Sequence, residues 1–373
     1  MDGSTGAELV RLGISFVIII IGAELFTNGV EWLGVRLSLS EGAIGSVLAG
    51  VGTALPETLI PLVALLFFRS AESHDIGLGA ILGAPFMLAT LAFFVTALGA
   101  ILYRRRRDCG WRFEVNTRVA SRDLGFFLPL YALAIGISFS PVGHWTRPLV
   151  AVLLMVGYGV YVYLNLRESA QGEKEEPLMF DLLWVSSALL HPTAADRREL
   201  RRARFDLVRE RNPHLSAVIG QLALALAFII GGAYEFVTAI GHLASLAGFS
   251  PLVLALIVAP IATELPEKFN SIIWVRQGKD TLALGNITGA MVFQSTFPVT
   301  VGLLLTPWRF GGDPVGRAAL LSAAIAMFSA LLLLITIRTA RVKHGATWVM
   351  AAGGVWWLAY FAFVTATVVV PHH

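Results

Sequence analysis

The chain has a single cysteine, Cys109, and only four lysines among its 373 residues. One thiol excludes an internal disulfide and any multi-cysteine metal site. Charged residues make up 14%, where an ordinary soluble domain carries roughly 25%. There is no phosphate loop, nucleophile elbow or HExxH run, so the sequence supports neither ATP hydrolysis nor a hydrolase, and an enzyme is not expected. No organic cofactor is implied. In so apolar a chain the net charge of +3 is not a nucleic-acid signal; what matters is where the charges lie.

Apolar sequence takes the place of charge. Hydrophobic residues reach 56% and the mean hydropathy is +0.73. Several apolar runs of about 20 residues match the hydrocarbon thickness as helices. Ten spans are expected, near residues 10–33, 41–68, 76–103, 123–140, 148–166, 215–241, 249–275, 281–306, 317–338 and 346–370. The protein is therefore expected to be an all-α polytopic membrane protein, with the lipid bilayer as its first partner. The N-terminal "MDGSTGAELVRLG" has no basic cluster before its apolar run, which predicts a retained span rather than a cleaved signal peptide.

Twenty-two of the 28 basic residues fall in the connections after the odd-numbered spans, including "RRRR" at 104–107 and nine between 167 and 211. Positive-inside bias then predicts both termini outside the cytoplasm in a cell (plasma or inner) membrane. Residues 167–214 form a basic cytoplasmic linker, and "ADRRELRRARFDLVRERNP" within it predicts a solvated or headgroup-lying helix.

The sequence repeats itself. At an offset of 210, Gly22 and Ala23 fall on Gly232 and Ala233, Phe26 on Phe236, and "TALPE" (53–57) on "TELPE" (263–267). At an offset of 206, "GLGAILGA" (77–84) falls on "ALGNITGA" (283–290). Five spans separate the copies, so the second copy enters from the opposite side. The expected organisation is a first five-helix repeat at 1–166, the linker, and an inverted five-helix repeat at 215–373. In that architecture substrate sits near the membrane midplane, where the halves meet.

Glu264, Glu267 and Lys268 follow the apolar run "PLVLALIVAPI", where each charge costs about 2.5–3.5 kcal/mol even on lenient insertion scales. Pro56 and Pro266 remove backbone donors and free upstream carbonyls, which predicts irregular backbone lining a cavity. The carbonyls of Ala259–Thr263 and their counterparts at 49–53 are expected to serve as cation ligands. Glu264 and Lys268, spaced i,i+4, can meet on a helix. Asn28, Gln221 and Asn270 are expected to form interhelical hydrogen bonds. Glu24, Glu31 and Glu235 are expected to support the site or the packing.

These motifs resemble those of the calcium/cation antiporter superfamily, which includes sodium/calcium exchangers and cation/proton exchangers. "GTALPE" (52–57) and "ATELPE" (262–267) are similar to its paired Pro-Glu signatures, "GAELFTNG" (22–29) to its first-helix element, and "GNITGA" (285–290) to its Gly-Asn element. The resemblance implies that Glu57 and Glu267 are the cation (metal) and proton ligands. Glu264, Thr53, Thr263 and Gln294 complete the candidate set. Positions that carry polar ligands in the family fall here on Leu88, Ala84, Pro85, Ala290 and Met291. Lys268 is expected to compensate charge, either by pairing with Glu264 or by standing in for a sodium ion. The implied activity is exchange of Ca²⁺ or another cation for H⁺ or Na⁺ by alternating access. Two alternatives are a same-fold transporter with a different cargo and a transport-inactive membrane scaffold or sensor. Oligomeric state is left open.

Overall fold

A chain whose apolar runs match the hydrocarbon thickness satisfies its backbone within each segment, and helices do this. The computed structural model describes residues 3–36, 55–68, 70–139, 145–169, 215–248, 250–310, 312–339 and 345–366. Among these residues the regular elements are all helical. They are α1 (Gly3–Arg36), α2 (Leu55–Val63, extended by a π-helical turn Ala64–Phe68), α3 (Ala71–Met87), a π-helical turn Leu88–Ala92, and α4 (Phe93–Leu102). After these come α5 (Thr117–Gly136), α6 (Thr146–Ser169), α7 (Leu215–Ala247), α8 (Pro251–Thr263) and α9 (Leu265–Arg276). The chain continues through α10 (Asp280–Gln294), α11 (Phe297–Leu305), α12 (Pro314–Thr339) and α13 (Gly345–Val364). The linker helix expected within 167–214 and the ligand Thr53 lie outside the described residues.

Eight helical stretches among the described residues are long and apolar enough to cross a membrane, and Leu55–Phe68 and Pro251–Ile261 are shorter apolar helices. The two short ones lead into or carry the Pro-Glu elements. Together they give a ten-helix architecture in which spans two and seven differ from the rest.

The long helices α1 and α7 pack antiparallel, and glycine lets them touch. A Cβ on Gly22 would lie 2.8 Å from Ile229 and 3.1 Å from the Ala225 carbonyl, while a Cβ on Gly232 would lie 2.7 Å from Ile19 and 3.1 Å from the Ser15 carbonyl. Adding 210 to one set of partners gives the other. The inverted repeat is therefore visible contact by contact, and small residues permit the close approach.

The Gly-rich helix α3 presses on α8 still more tightly. A Cβ on Gly79 or Gly83 would fall 2.2 Å from the carbonyl of Leu252 or Leu256, so only glycine fits. Contacts with α2, α8, α10 and α11 make α3 a hub that packs against the first Pro-Glu helix, α2, and against α8, which leads into the second.

Candidate cation site

Spans seven and eight are each interrupted at depth. Between α8 and α9 the interruption is at Glu264, a non-helical residue with φ −91° and ψ 7°. The break comes two residues before Pro266, which falls in the first turn of α9, where a missing N–H costs nothing. Glu267 follows in that same turn; its side chain is outside the described residues. In the first repeat Glu57 lies in the opening turn of α2, as described from Leu55, and is 4% exposed.

Glu264 is fully buried and its Oε2 lies 3.2 Å from the Lys268 Nζ. The same ammonium donates to the Pro260 carbonyl at 3.4 Å. The Thr263 hydroxyl donates to the Ala259 carbonyl at 3.1 Å, and the Glu264 N–H donates to that of Pro260 at 3.2 Å. This corrects one expectation. The Ala259 and Pro260 carbonyls already accept from Thr263, Glu264 and Lys268, so with Lys268 in place they are not idle.

On the second Gly-rich span, α10 ends at Gln294 and α11 starts at Phe297, leaving a two-residue interruption at Ser295–Thr296. The first repeat has its π-helical turn at Leu88–Ala92, in register at an offset of 206. Thr90 donates to the Phe86 carbonyl at 2.6 Å and its counterpart Thr296 to the Val292 carbonyl at 2.9 Å. Such back-bonding competes with the regular helix ladder, and it recurs at equivalent positions in both halves. The side chains two residues earlier differ. Gln294 is 1% exposed, and its Oε1 accepts no hydrogen bond among the described residues. Leu88 is wholly buried in the apolar core with Met291. The Ala89 carbonyl, in the π turn, accepts from Ser329 at 2.6 Å, and Gly353 closes on the Thr90 carbonyl. The irregular backbone of the first half is thus sealed by protein packing.

Among the described residues no three or more His, Cys, Asp or Glu side chains are grouped to hold a metal ion. The described ligand types that remain are two carboxylates, an amide oxygen and hydroxyls. These are hard oxygen donors suited to Ca²⁺, Na⁺ or protons rather than soft metals.

Two polar clusters escaped sequence reading. Asp123, buried on α5, accepts from Thr288 Oγ1 at 2.7 Å and from the Tyr161 hydroxyl at 3.2 Å. Arg107 forms a buried ion pair with Asp280, whose Oδ2 also accepts from the Glu114 N–H at 2.8 Å. This straps the 103–116 connection over the start of α10. Burial pushes the neighbouring Cys109 thiol above its usual pKa, with Arg107 opposing and Asp280 reinforcing. Each partner lies 38 to 173 residues from its mate, so no local spacing marked them.

Other expected polar residues fall elsewhere. Gln221 donates to Asn28 at 3.0 Å and to the Leu25 carbonyl at 2.8 Å, joining α7 to α1. Glu235 takes a 2.6 Å hydrogen bond from Arg11 in a part-exposed ion pair, and Glu24 is exposed, so neither supports a buried site. The Glu31 and Asn270 side chains lie outside the described residues.

Comparison with known proteins agrees with this architecture. The family described as "Sodium/calcium exchanger protein" matches residues 8–167 and 217–369. CaxA of Alkalimonas amylolytica, a candidate antiporter, is 24% identical over 333 residues, covering 89% of this chain and 90% of that one. Inner membrane protein YrbG of Escherichia coli K12 is 24% identical over 332 residues, covering 87% and 88%. In fold, the chain is similar to the H⁺/Ca²⁺ exchanger CAX, with a TM-score of 0.59 and 17% identity over 96% of this chain and 88% of that one. It is also similar to the sodium-calcium exchanger NCX_Mj, with a TM-score of 0.55 and 17% identity over 96% and 99%. With an interrupted Pro-Glu span, two mirrored glycine contacts and a family match over most of its length, this chain belongs to the sodium/calcium exchanger protein family, within the calcium/cation antiporter superfamily.

Proposed function

We propose that the protein is a membrane cation antiporter that exchanges Ca²⁺ or another cation for H⁺ or Na⁺ by alternating access. The observation that carries this reading is the interruption at Glu264, with acidic side chains at and just after a helix break deep in an apolar span. Such a break sets ionisable side chains at an irregular point of a span while the backbone around it stays satisfied. Glu57 and Glu267 are the exchange ligands: two protons neutralise the charge that one divalent ion would. Thr53, Thr263 and Gln294 supply further oxygens, and Glu264 adds a carboxylate beside them that faces Lys268. Two five-helix halves, 1–166 and 215–373, frame this centre in an inner or plasma membrane, with both termini outside. The pair α1 and α7, joined by their glycine contacts, slides or rocks across the Pro-Glu helices.

Proton coupling is favoured over sodium coupling because Leu88, Ala84 and Ala290 replace polar ligands. The same apolar lining supports a second reading, a different cargo carried by the same fold. Flux measurements in reconstituted vesicles separate the two. An imposed Ca²⁺ gradient should drive proton or sodium movement that is abolished by Glu57→Gln and by Glu267→Gln. Normal flux in both variants would remove the site assignment. Absence of Ca²⁺-driven flux, with flux driven by another solute, would select the second reading.

A further inference from the structure

We infer that Lys268 is a covalently attached occupant of a monovalent-cation site, and that its ammonium permanently fills a position a free ion would otherwise take. The inference deepens the antiporter reading and rests on it for its transport meaning, although its test does not. Three features converge on one point. Helix α8 ends at Thr263, so its carbonyl end, which carries partial negative charge, faces the break. The Glu264 carboxylate sits in the break itself and is fully buried. Lys268 reaches back one turn from α9, placing its Nζ 3.2 Å from Glu264 Oε2 and 3.4 Å from the Pro260 carbonyl.

A carboxylate oxygen and a helix-terminal carbonyl form an oxygen-lined niche for a monovalent cation. An ammonium group meets the same charge requirement with fixed occupancy. Sequence position agrees: at an offset of 210, Glu264 and Lys268 fall on Ala54 and Thr58, so the carboxylate and its cation are present together in one half and absent together from the other. A mobile ion would come and go with the transport cycle, but a tethered one cannot. One coupling ion is thereby removed from the stoichiometry, and the remaining carboxylates are left for cargo and its counter-ion.

The test is thermal unfolding of the purified, detergent-solubilised chain in choline chloride, with lithium, sodium, potassium or propylammonium chloride added in turn. Wild type should respond to these salts no more than to choline. Lys268→Ala, which leaves Glu264 and the niche open, should unfold at lower temperature in choline and recover with one of the small cations. Propylammonium, which matches the deleted part of the side chain, is the strongest candidate for rescue. Glu264→Ala combined with Lys268→Ala should abolish the recovery. Lys268→Met fills the niche with an uncharged stem and should be destabilised without rescue by any salt. The inference is overturned if Lys268→Ala responds to salts as wild type does, or if the double variant keeps the response. It is equally overturned if Lys268→Ala fails to fold in every salt while Glu264→Gln with Lys268→Met folds, because the pair is then only structural. None of these readings needs transport, so they stand or fall apart from the Glu57 and Glu267 flux result.

Discussion

The two halves of the molecule share a backbone plan and differ in chemistry. Gly22 and Gly232 make mirrored contacts, and Thr90 and Thr296 make the same back-bond at the same depth. Over that frame the polar groups are distributed unevenly. Glu264, Lys268 and Gln294 in the second half correspond to Ala54, Thr58 and Leu88 in the first. The helix ends differ in the same way. Arg11 and Glu235 form an ion pair at one end of the α1–α7 contact, while their counterparts Gln221 and Leu25 form a neutral hydrogen bond at the other. Close packing of glycine against backbone leaves little room to vary, so both copies keep it. A ligand shared by both halves is needed only once, so the first copy keeps Glu57 and is apolar where the second holds Gln294.

Breaking this asymmetry at its charged pair should have the largest effect on stability. Lys268→Met leaves Glu264 buried without its cation and should cost about 3–5 kcal/mol, read by denaturation in detergent. The double variant Glu264→Ala, Lys268→Thr gives the second half the residues of the first. It should recover most of that loss, because the carboxylate and its cation leave together. Failure to recover would mean that the pair holds the helix break open rather than neutralising itself.

The Arg107–Asp280 strap, which ties the first half to the second, comes next. Asp280→Asn leaves a buried guanidinium undercompensated and should cost about 3 kcal/mol, the low end of that range, since Arg107 keeps its 2.9 Å bond to the Arg112 carbonyl. Cys109 provides the readout. Its raised pKa leaves little thiolate at neutral pH, so maleimide labelling of wild type should be slow and should rise with pH. Asp280→Asn should speed labelling at constant pH, and unchanged labelling would mean the strap stays closed without its carboxylate.

The smallest expected effect tests the symmetric frame itself. Gly22→Ala and Gly232→Ala should each cost about 1–3 kcal/mol by overpacking, and by matching amounts. A large difference between them would show that the mirrored contacts are not equally stressed.

Much of the fold was legible because it rests on patterns of fixed period. Span lengths, basic connections and the displaced repeat needed no side-chain geometry. The Pro-Glu elements were legible for the same reason, since proline beside buried glutamate has few other uses. The position of the break was not. It falls at Glu264 because Pro266 is tolerated in the first turn of α9, so the helix gives way before the proline rather than at it. The fate of the freed carbonyls was also hidden, since a rotamer of Lys268 and a hydroxyl of Thr263 decide it. Asp123 with Thr288 and Tyr161, and Arg107 with Asp280, are tertiary pairings that no spacing announces.

The central claim is that cations and protons compete for carboxylates gathered where the inverted halves meet. Calorimetric titration of the purified protein with Ca²⁺, repeated from acid to alkaline pH in sodium-free buffer, tests it most directly. Binding should strengthen as pH rises, because deprotonation frees the carboxylates, and Glu57→Gln should remove both the binding and its pH dependence. Ca²⁺ affinity that is independent of pH, or unchanged in Glu57→Gln, would contradict the account.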